Sequence, residues 1–170
     1  DEDLAGRLLA ASLLLSEDRT AHGREHSLEV QLPFLRRFRE SFLFVPVALG
    51  HLSISDCRSL GESVAQVLRD DPAPALLIAS TDMTHYETDA TARKNDRKAI
   101  SRILELDPEG LYRTVRSERI TMCGVIPTVV VLYAALSLGA TEARLIRYAT
   151  SGDVSGDRNQ VVGYAGLAIL

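Results

Sequence analysis

Three short stretches of this 170-residue chain bring together side chains that can do chemistry. The first is Ser80-Thr81-Asp82-Met83-Thr84-His85-Tyr86, where a carboxylate and an imidazole stand three residues apart. In a turn such a pair converges on one point, and the carboxylate can fix the imidazole's tautomer and raise its basicity. The competing reading is a loop-capping aspartate beside an exposed histidine. The second stretch is Thr121-Met122-Cys123-Gly124, followed by Pro127 as the mark of a helix's first turn. A thiol there lies near the positive end of the helix dipole, which favours the thiolate that binds metals or attacks electrophiles. A small buried hydrophobe is its alternative. The third is Glu25-His26-Ser27-Leu28-Glu29, ahead of a helical face of Leu28, Leu32, Leu35 and Phe38. Either the Ser27 hydroxyl or the Glu25 carboxylate can cap that helix, leaving His26 free to point elsewhere. Cys57 sits on an apolar helix face and takes no role. The loop Ser151 to Asn159 spaces its acids like a calcium site, but Arg158 stands where an EF-hand needs glycine and Tyr164 where it needs a bidentate glutamate. Calcium is excluded, and a flexible loop bordering the same crevice is the reading kept.

The elements that must position these residues follow from periodicity. Four short aliphatic or β-branched runs bounded by turn formers read as strands: Phe42 to Leu49, Ala75 to Ser80, Ala143 to Ala149 and Val161 to Leu170. Ile54, Cys57, Leu60, Val64, Val67 and Leu68 share one helical face. Ser53 with Asp56 can close a capping box at that helix's start, and Asp70-Asp71-Pro72 stops it. Asp107-Pro108 opens another helix through Leu111, Tyr112 and Val115. Apolar strands alternating with helices predict an α/β fold, a largely parallel sheet flanked by helices, in a single domain over residues 1–170. The Asp82 and His85 motif then falls at the carboxyl end of a strand, where open α/β sheets bind ligands. Leu4, Leu8, Leu9, Ala11, Leu13 and Leu14 read as a helix with no strand before it, so the fold is expected to be incomplete at its N-terminal side.

Composition removes several function classes. Hydrophobic residues at 46% against 25% charged give enough apolar surface for a packed core, which excludes a disordered chain. A net charge of −4, with no basic patch interleaved with aromatics, argues against nucleic acid as the main partner. Ile120 to Thr141 is uncharged and long enough to suggest a membrane span, but Cys123, Gly124, Pro127, Thr128 and Ser137 interrupt it and no aromatic belt flanks it, so a buried helix is expected. Two cysteines cannot form a four-thiolate zinc site, and a single bridge is a poor staple for this size, so a reducing, cytoplasmic setting is expected.

Taken together, Glu25-His26-Ser27-Leu28-Glu29-Val30-Gln31-Leu32-Pro33, Ser80 through Tyr86 and Met122-Cys123-Gly124, in this order, resemble the Memo family, called AmmeMemoRadiSam system protein B in prokaryotes. Tyr148-Ala149-Thr150-Ser151-Gly152-Asp153 and Val162-Gly163-Tyr164-Ala165-Gly166 are similar to it as well. The resemblance covers about the C-terminal two-thirds of the family pattern. It implies a LigB-like fold related to the class III extradiol dioxygenases, which use non-haem iron, with a pocket lined by two N-terminal histidines, an Asp-x-x-His pair and the cysteine of a Cys-Gly motif. Asp82 and His85 match the pair, and Cys123 matches the cysteine. His85 falls where the dioxygenases carry their base, and Cys123 where they carry a carboxylate ligand. The segments bearing the two histidines do not occur here, so this chain is expected to supply part of the metal site.

The function expected on these grounds is a metal-dependent, oxidoreductase-like role. Iron or copper would be held by Cys123 and imidazoles, with His85 as base or additional ligand and Asp82 orienting it. Thiolate and imidazole together suit soft or borderline metals. Two other classes stay open: a module binding a peptide or small ligand without turnover, as the resemblance implies for phosphotyrosine peptides in animal members, and a hydrolase using Cys123, His85 and Asp82. Glu25 and His26 are assigned to the pocket or its scaffold. A small molecule or peptide is the expected partner, with neither nucleic acid nor membrane.

Overall fold

The computed structural model describes residues 1–23 and 25–170. Its frame is a stack of helices against a small sheet. Helix α1 (Glu2–Ala11) is followed by the short α2 (Arg19–His22), a 3-10 turn over Glu29–Gln31, and α3 (Leu32–Phe38). Helix α4 (Ile54–Arg69) opens with the capping box expected from Ser53 and Asp56, and it buries Cys57, Leu60, Ala65 and Val67. It packs on α7 (Val125–Leu138), the uncharged segment, which ends at Gly139 in the left-handed conformation (φ 98°). Gly61 lets the two backbones approach, since a Cβ there would lie 2.6 Å from Tyr133 Cβ and 2.7 Å from Val130 O. No described helix is long and apolar enough to cross a membrane.

Between α4 and α7 in sequence come β1 (His85–Glu87), α5 (Asp89–Leu104) and α6 (Pro108–Ser117). Strand β2 (Ala143–Thr150), the single-turn α8 (Gly152–Ser155) and β3 (Val161–Ile169) close the chain. Helix α6 packs on α7 and α5, and α5 lies across β2 and β3. Leu60, Met83, Ile103, Leu111, Val129 and Leu132 form the centre of one shared core. The α/β class holds, with eight helices and one small sheet among the described residues.

The expected parallel pairing is corrected. The sheet has order β1-β3-β2, and both ladders are antiparallel, with Tyr148 opposite Ala165 and His85 opposite Val162. Only Ser151 to Gln160 separate β2 from β3, too few residues for the crossover of a dozen or more that parallel neighbours need. The runs 42–49 and 75–80 form no ladder. Val45, Val47 and Leu49 are half-buried between exposed neighbours, as is Leu77, so the strand-like alternation is present. Of the main-chain groups in both runs, only Phe44 O has a partner among the described residues, the ammonium of Asp1 at 2.8 Å. Both runs line one apolar cavity of about 570 Å³ together with Leu28, Leu32, Leu35 and Val130.

Candidate metal centre

The segment 80–85 is held in place by what its own backbone donates to. Asp82 N–H points at Cys123 Sγ (3.2 Å), Met83 N–H at Gly163 O (2.9 Å), Thr84 N–H at Asp96 Oδ1 (2.9 Å) and His85 N–H at Thr121 Oγ1 (2.7 Å). Four consecutive amides thus reach four different parts of the chain: the entry to α7, β3, α5, and the loop after α6. A turn tied this way cannot slide relative to the thiol it faces.

Gly124 sets the approach of the thiol. Thr81 Oγ1 accepts the Gly124 N–H at 2.8 Å, and a Cβ on Gly124 would stand 2.4 Å from Thr81 Cβ and 2.6 Å from Ser80 O. Only glycine lets the start of α7 press against residues 80–82. Cys123, the residue before it, is therefore delivered to the turn, exposed and free of any disulfide.

The imidazole of His85 is oriented by a main-chain carbonyl. Nδ1 lies 2.7 Å from Thr121 O, and because a carbonyl only accepts, Nδ1 carries the proton. The neutral ring then presents an unprotonated Nε2, which lies 3.5 Å from Asp82 Oδ2. Here the expectation for Asp82 is corrected: Thr121 fixes the tautomer, and Asp82 stands on the other side, beside the free lone pair. The donor atoms of Asp82, His85 and Cys123 all lie within 4.8 Å of one another. Ligand bonds of about 2.0 to 2.3 Å span at most about 4.6 Å across an ion, so these three side chains fit one metal with small rotations. Their chemistry, one thiol, one imidazole and one carboxylate, also fits.

Tyr86 follows His85 with φ 58°, in the left-handed region that non-glycine residues rarely occupy, at a register irregularity between His85 and Glu87. Its ring is exposed and its centroid lies 5.9 Å from that of His85. Tyr164 borders the same place, since burial first and the Asp82 charge second push its hydroxyl above its ordinary value.

The third expected stretch reaches this site only at second hand. Neither expected cap forms, since the 3-10 turn and α3 both start without a side-chain bond; the Glu25 carboxylate instead closes the preceding turn, accepting from the backbone and hydroxyl of Ser27 and from Leu28 N–H (3.3 Å), and the Ser27 hydroxyl above all holds it below the usual carboxylate range. His26 is exposed and lies outside the metal-competent cluster. The stretch is nevertheless docked on the motif, because Ser80 Oγ donates to Ser27 O (2.8 Å) and accepts from Gln31 Nε2 (2.9 Å). Cys57 is fully buried, and burial pushes its thiol up. The Ser151 to Asn159 loop is clamped: Asp153 and Arg158 join Asp89 and Arg93 in a network that ties it to α5. Thr81, Thr121, Asp96 and Gly163 were not singled out by sequence. Thr81, Thr121 and Gly163 lie inside the quoted motifs without a role of their own, and Asp96 lies outside all of them.

The family profile described as Memo-like protein matches residues 1–168. A MEMO1 family protein of Methanopyrus kandleri is 45% identical over 168 residues, 98% of this chain and 59% of the relative. One from Methanothermobacter thermautotrophicus is 43% identical over 171 residues, covering 99% and 61%, and one from Methanosarcina acetivorans is 39% identical over 170 residues, covering 99% and 63%. The chain spans about three-fifths of the length of these curated relatives.

Proposed function

We propose, from the premise that the chain belongs to the Memo-like protein family, that Asp82, His85 and Cys123 form part of a metal-binding pocket with a redox role. The observation that carries this reading is the convergence of their three donor atoms within 4.8 Å, on a turn and a helix entry that are braced against each other. Cys123 Sγ and His85 Nε2 would hold the ion, and iron or copper suits a thiolate with imidazole better than magnesium or calcium does. Bound there, either metal would supply one-electron and Lewis-acid chemistry.

The chain's own groups have defined tasks in this reading. Thr121 O keeps the His85 proton on Nδ1 and so keeps Nε2 available as ligand or base. Asp82, beside Nε2, either joins the ligand set or receives a proton from substrate. Tyr86 and Tyr164 stand exposed beside the three donors, and a small molecule or a peptide side chain would approach past them. With both thiols free, we place the protein in a reducing, cytoplasmic setting.

The test is metal uptake by the intact chain, loaded anaerobically with Fe(II) or Cu(I) and measured by mass spectrometry under native conditions. Cys123→Ala and His85→Ala should each lower occupancy, and the double variant should abolish it. Full occupancy in the double variant refutes the assignment.

A further inference from the structure

Asp96 is a buried carboxylate with no place in the chemistry described so far. It lies on α5 at 0% exposure, and its two oxygens reach in different directions. Oδ1 accepts the Thr84 N–H at 2.9 Å, one residue before His85, and Oδ2 accepts the Tyr148 hydroxyl at 2.6 Å. Burial, and then the bond to Asp96, push the Tyr148 hydroxyl well above its ordinary value, which keeps it as the donor of this bond. The carboxylate fits closely over β3, because a Cβ on Gly163 would lie 2.0 Å from Oδ2. Gly163 in turn exchanges main-chain bonds with both sides of the same turn, accepting from Met83 N–H and donating to Thr84 O, each at 2.9 Å.

The helix that carries Asp96 is itself anchored. Asp89 binds Arg93, Thr150 and Arg158, and the Arg93 guanidinium lies 5.6 Å above the Tyr148 ring. The Thr84 hydroxyl is buried without a partner, so the Thr84 side chain adds no polar tether of its own. Among the described residues, the Asp96 carboxylate is the only direct hydrogen-bonded tether from α5 to the turn.

We propose that Asp96 is a positioning residue for the metal centre: by bridging the Tyr148 hydroxyl and the Thr84 amide it sets how far His85 extends toward Cys123. The inference rests on the metal-centre reading for its purpose, while its geometric content concerns the imidazole alone. Without the carboxylate, Thr84 N–H loses its acceptor, the turn shifts, and the His85 ring leaves Thr121 O.

The experiment uses the full chain with Co(II) as spectroscopic probe, together with the ¹⁵N signals of the His85 ring in metal-free protein. In Asp96→Ala, cobalt affinity should fall about 10- to 100-fold, the usual effect of losing a group that orients ligands, and the thiolate charge-transfer band should move. The ring should change from the pure Nδ1–H tautomer to a mixture. Asp96→Asn, which keeps an oxygen for Thr84 N–H, should restore the tautomer and most of the affinity. Leu111→Ala, a core truncation in α6, should lower thermal stability with neither signal changed.

An Asp96→Ala protein with unchanged cobalt affinity, band and tautomer overturns the proposal. If that variant does not fold, Tyr148→Phe decides, since an unchanged His85 tautomer there overturns it equally. Should the unaltered chain take up no cobalt, the metal reading fails, yet the tautomer comparison still settles whether Asp96 positions the ring.

Discussion

Gly124→Ala isolates the contact that brings thiol and imidazole together. The backbone at Gly124 has φ −96°, accessible to any residue, so the substitution carries no conformational strain and acts through space alone. The added carbon would stand 2.4 Å from Thr81 Cβ and 2.6 Å from Ser80 O, where carbon contacts relax at about 3.5 to 4.0 Å. Relief requires the entry of α7 and the 80–82 turn to part by about 1 Å. Overpacking of this kind costs about 1 to 3 kcal/mol. The same displacement stretches two hydrogen bonds, Gly124 N–H to Thr81 Oγ1 and Asp82 N–H to Cys123 Sγ, for roughly 1 kcal/mol more. About 2 to 4 kcal/mol in all corresponds to a fall in Tm of about 4 to 16 °C for a domain this size. Scanning calorimetry gives Tm, and competition against a Cu(I) chelator gives the affinity, which should drop at least about tenfold as Sγ moves away from Nε2. Gly166→Ala is the control, because nothing lies within 4 Å of its would-be Cβ. If Gly124→Ala melts within 1 °C of the unaltered chain, or keeps full metal affinity, as flagged by an effect below about 0.5 kcal/mol, the turn and helix entry are not braced as described.

Other outcomes follow from the same structure. The Asp89 carboxyl, held down to about 2 first by its bond from Arg93 and then by Thr150, contributes stability that is complete above its ordinary value of 3.8 and lost as pH falls through about 2. Acid titration followed by circular dichroism should therefore show a stability loss between about pH 4 and 2 that is smaller in Asp89→Asn. Amides in 42–49 and 75–80 should exchange with deuterium near the intrinsic rate, while α4 and α7 are protected; slow exchange in either run of the isolated chain would mean a partner strand that these contacts do not include.

How much of this was legible in the sequence depends on the range of each interaction. The capping box at Ser53 and Asp56, the proline-led start of α6 and the buried uncharged helix are local, and they appear where composition and spacing put them. Helix α5 went unread because its buried stripe is Ala92, Asp96, Ala99, Ile100 and Ile103, a face whose small and polar members carry little hydrophobic periodicity. The runs 42–49 and 75–80 keep a strand's alternation, but a ladder needs a neighbour, and pairing is a property of two segments rather than one. At the centre, Asp82, His85 and Cys123 were readable as residue types. Their supports were not, since Thr121 acts through a carbonyl, Gly163 through a missing side chain, and Asp96 from eleven residues away.

The side on which Asp82 stands bears on which chemistry these three residues suit. A cysteine hydrolase needs the acid on one ring nitrogen and the nucleophile on the other, so that the acid holds the ring while the far nitrogen takes the proton. In this chain the far position is taken by Thr121 O at Nδ1, and Asp82 shares the Nε2 side with the thiol. A carboxylate there cannot orient the ring for proton transfer to Nε2, because both are acceptors and compete for the same proton. For a metal, the same crowding is an advantage: three donors of different kinds face one point, and the carbonyl behind the imidazole locks the ring with its lone pair outward. Thr121→Val separates the two: it removes the acceptor for His85 N–H but leaves the Thr121 carbonyl, so a metal site should weaken only in proportion to the shift of the turn.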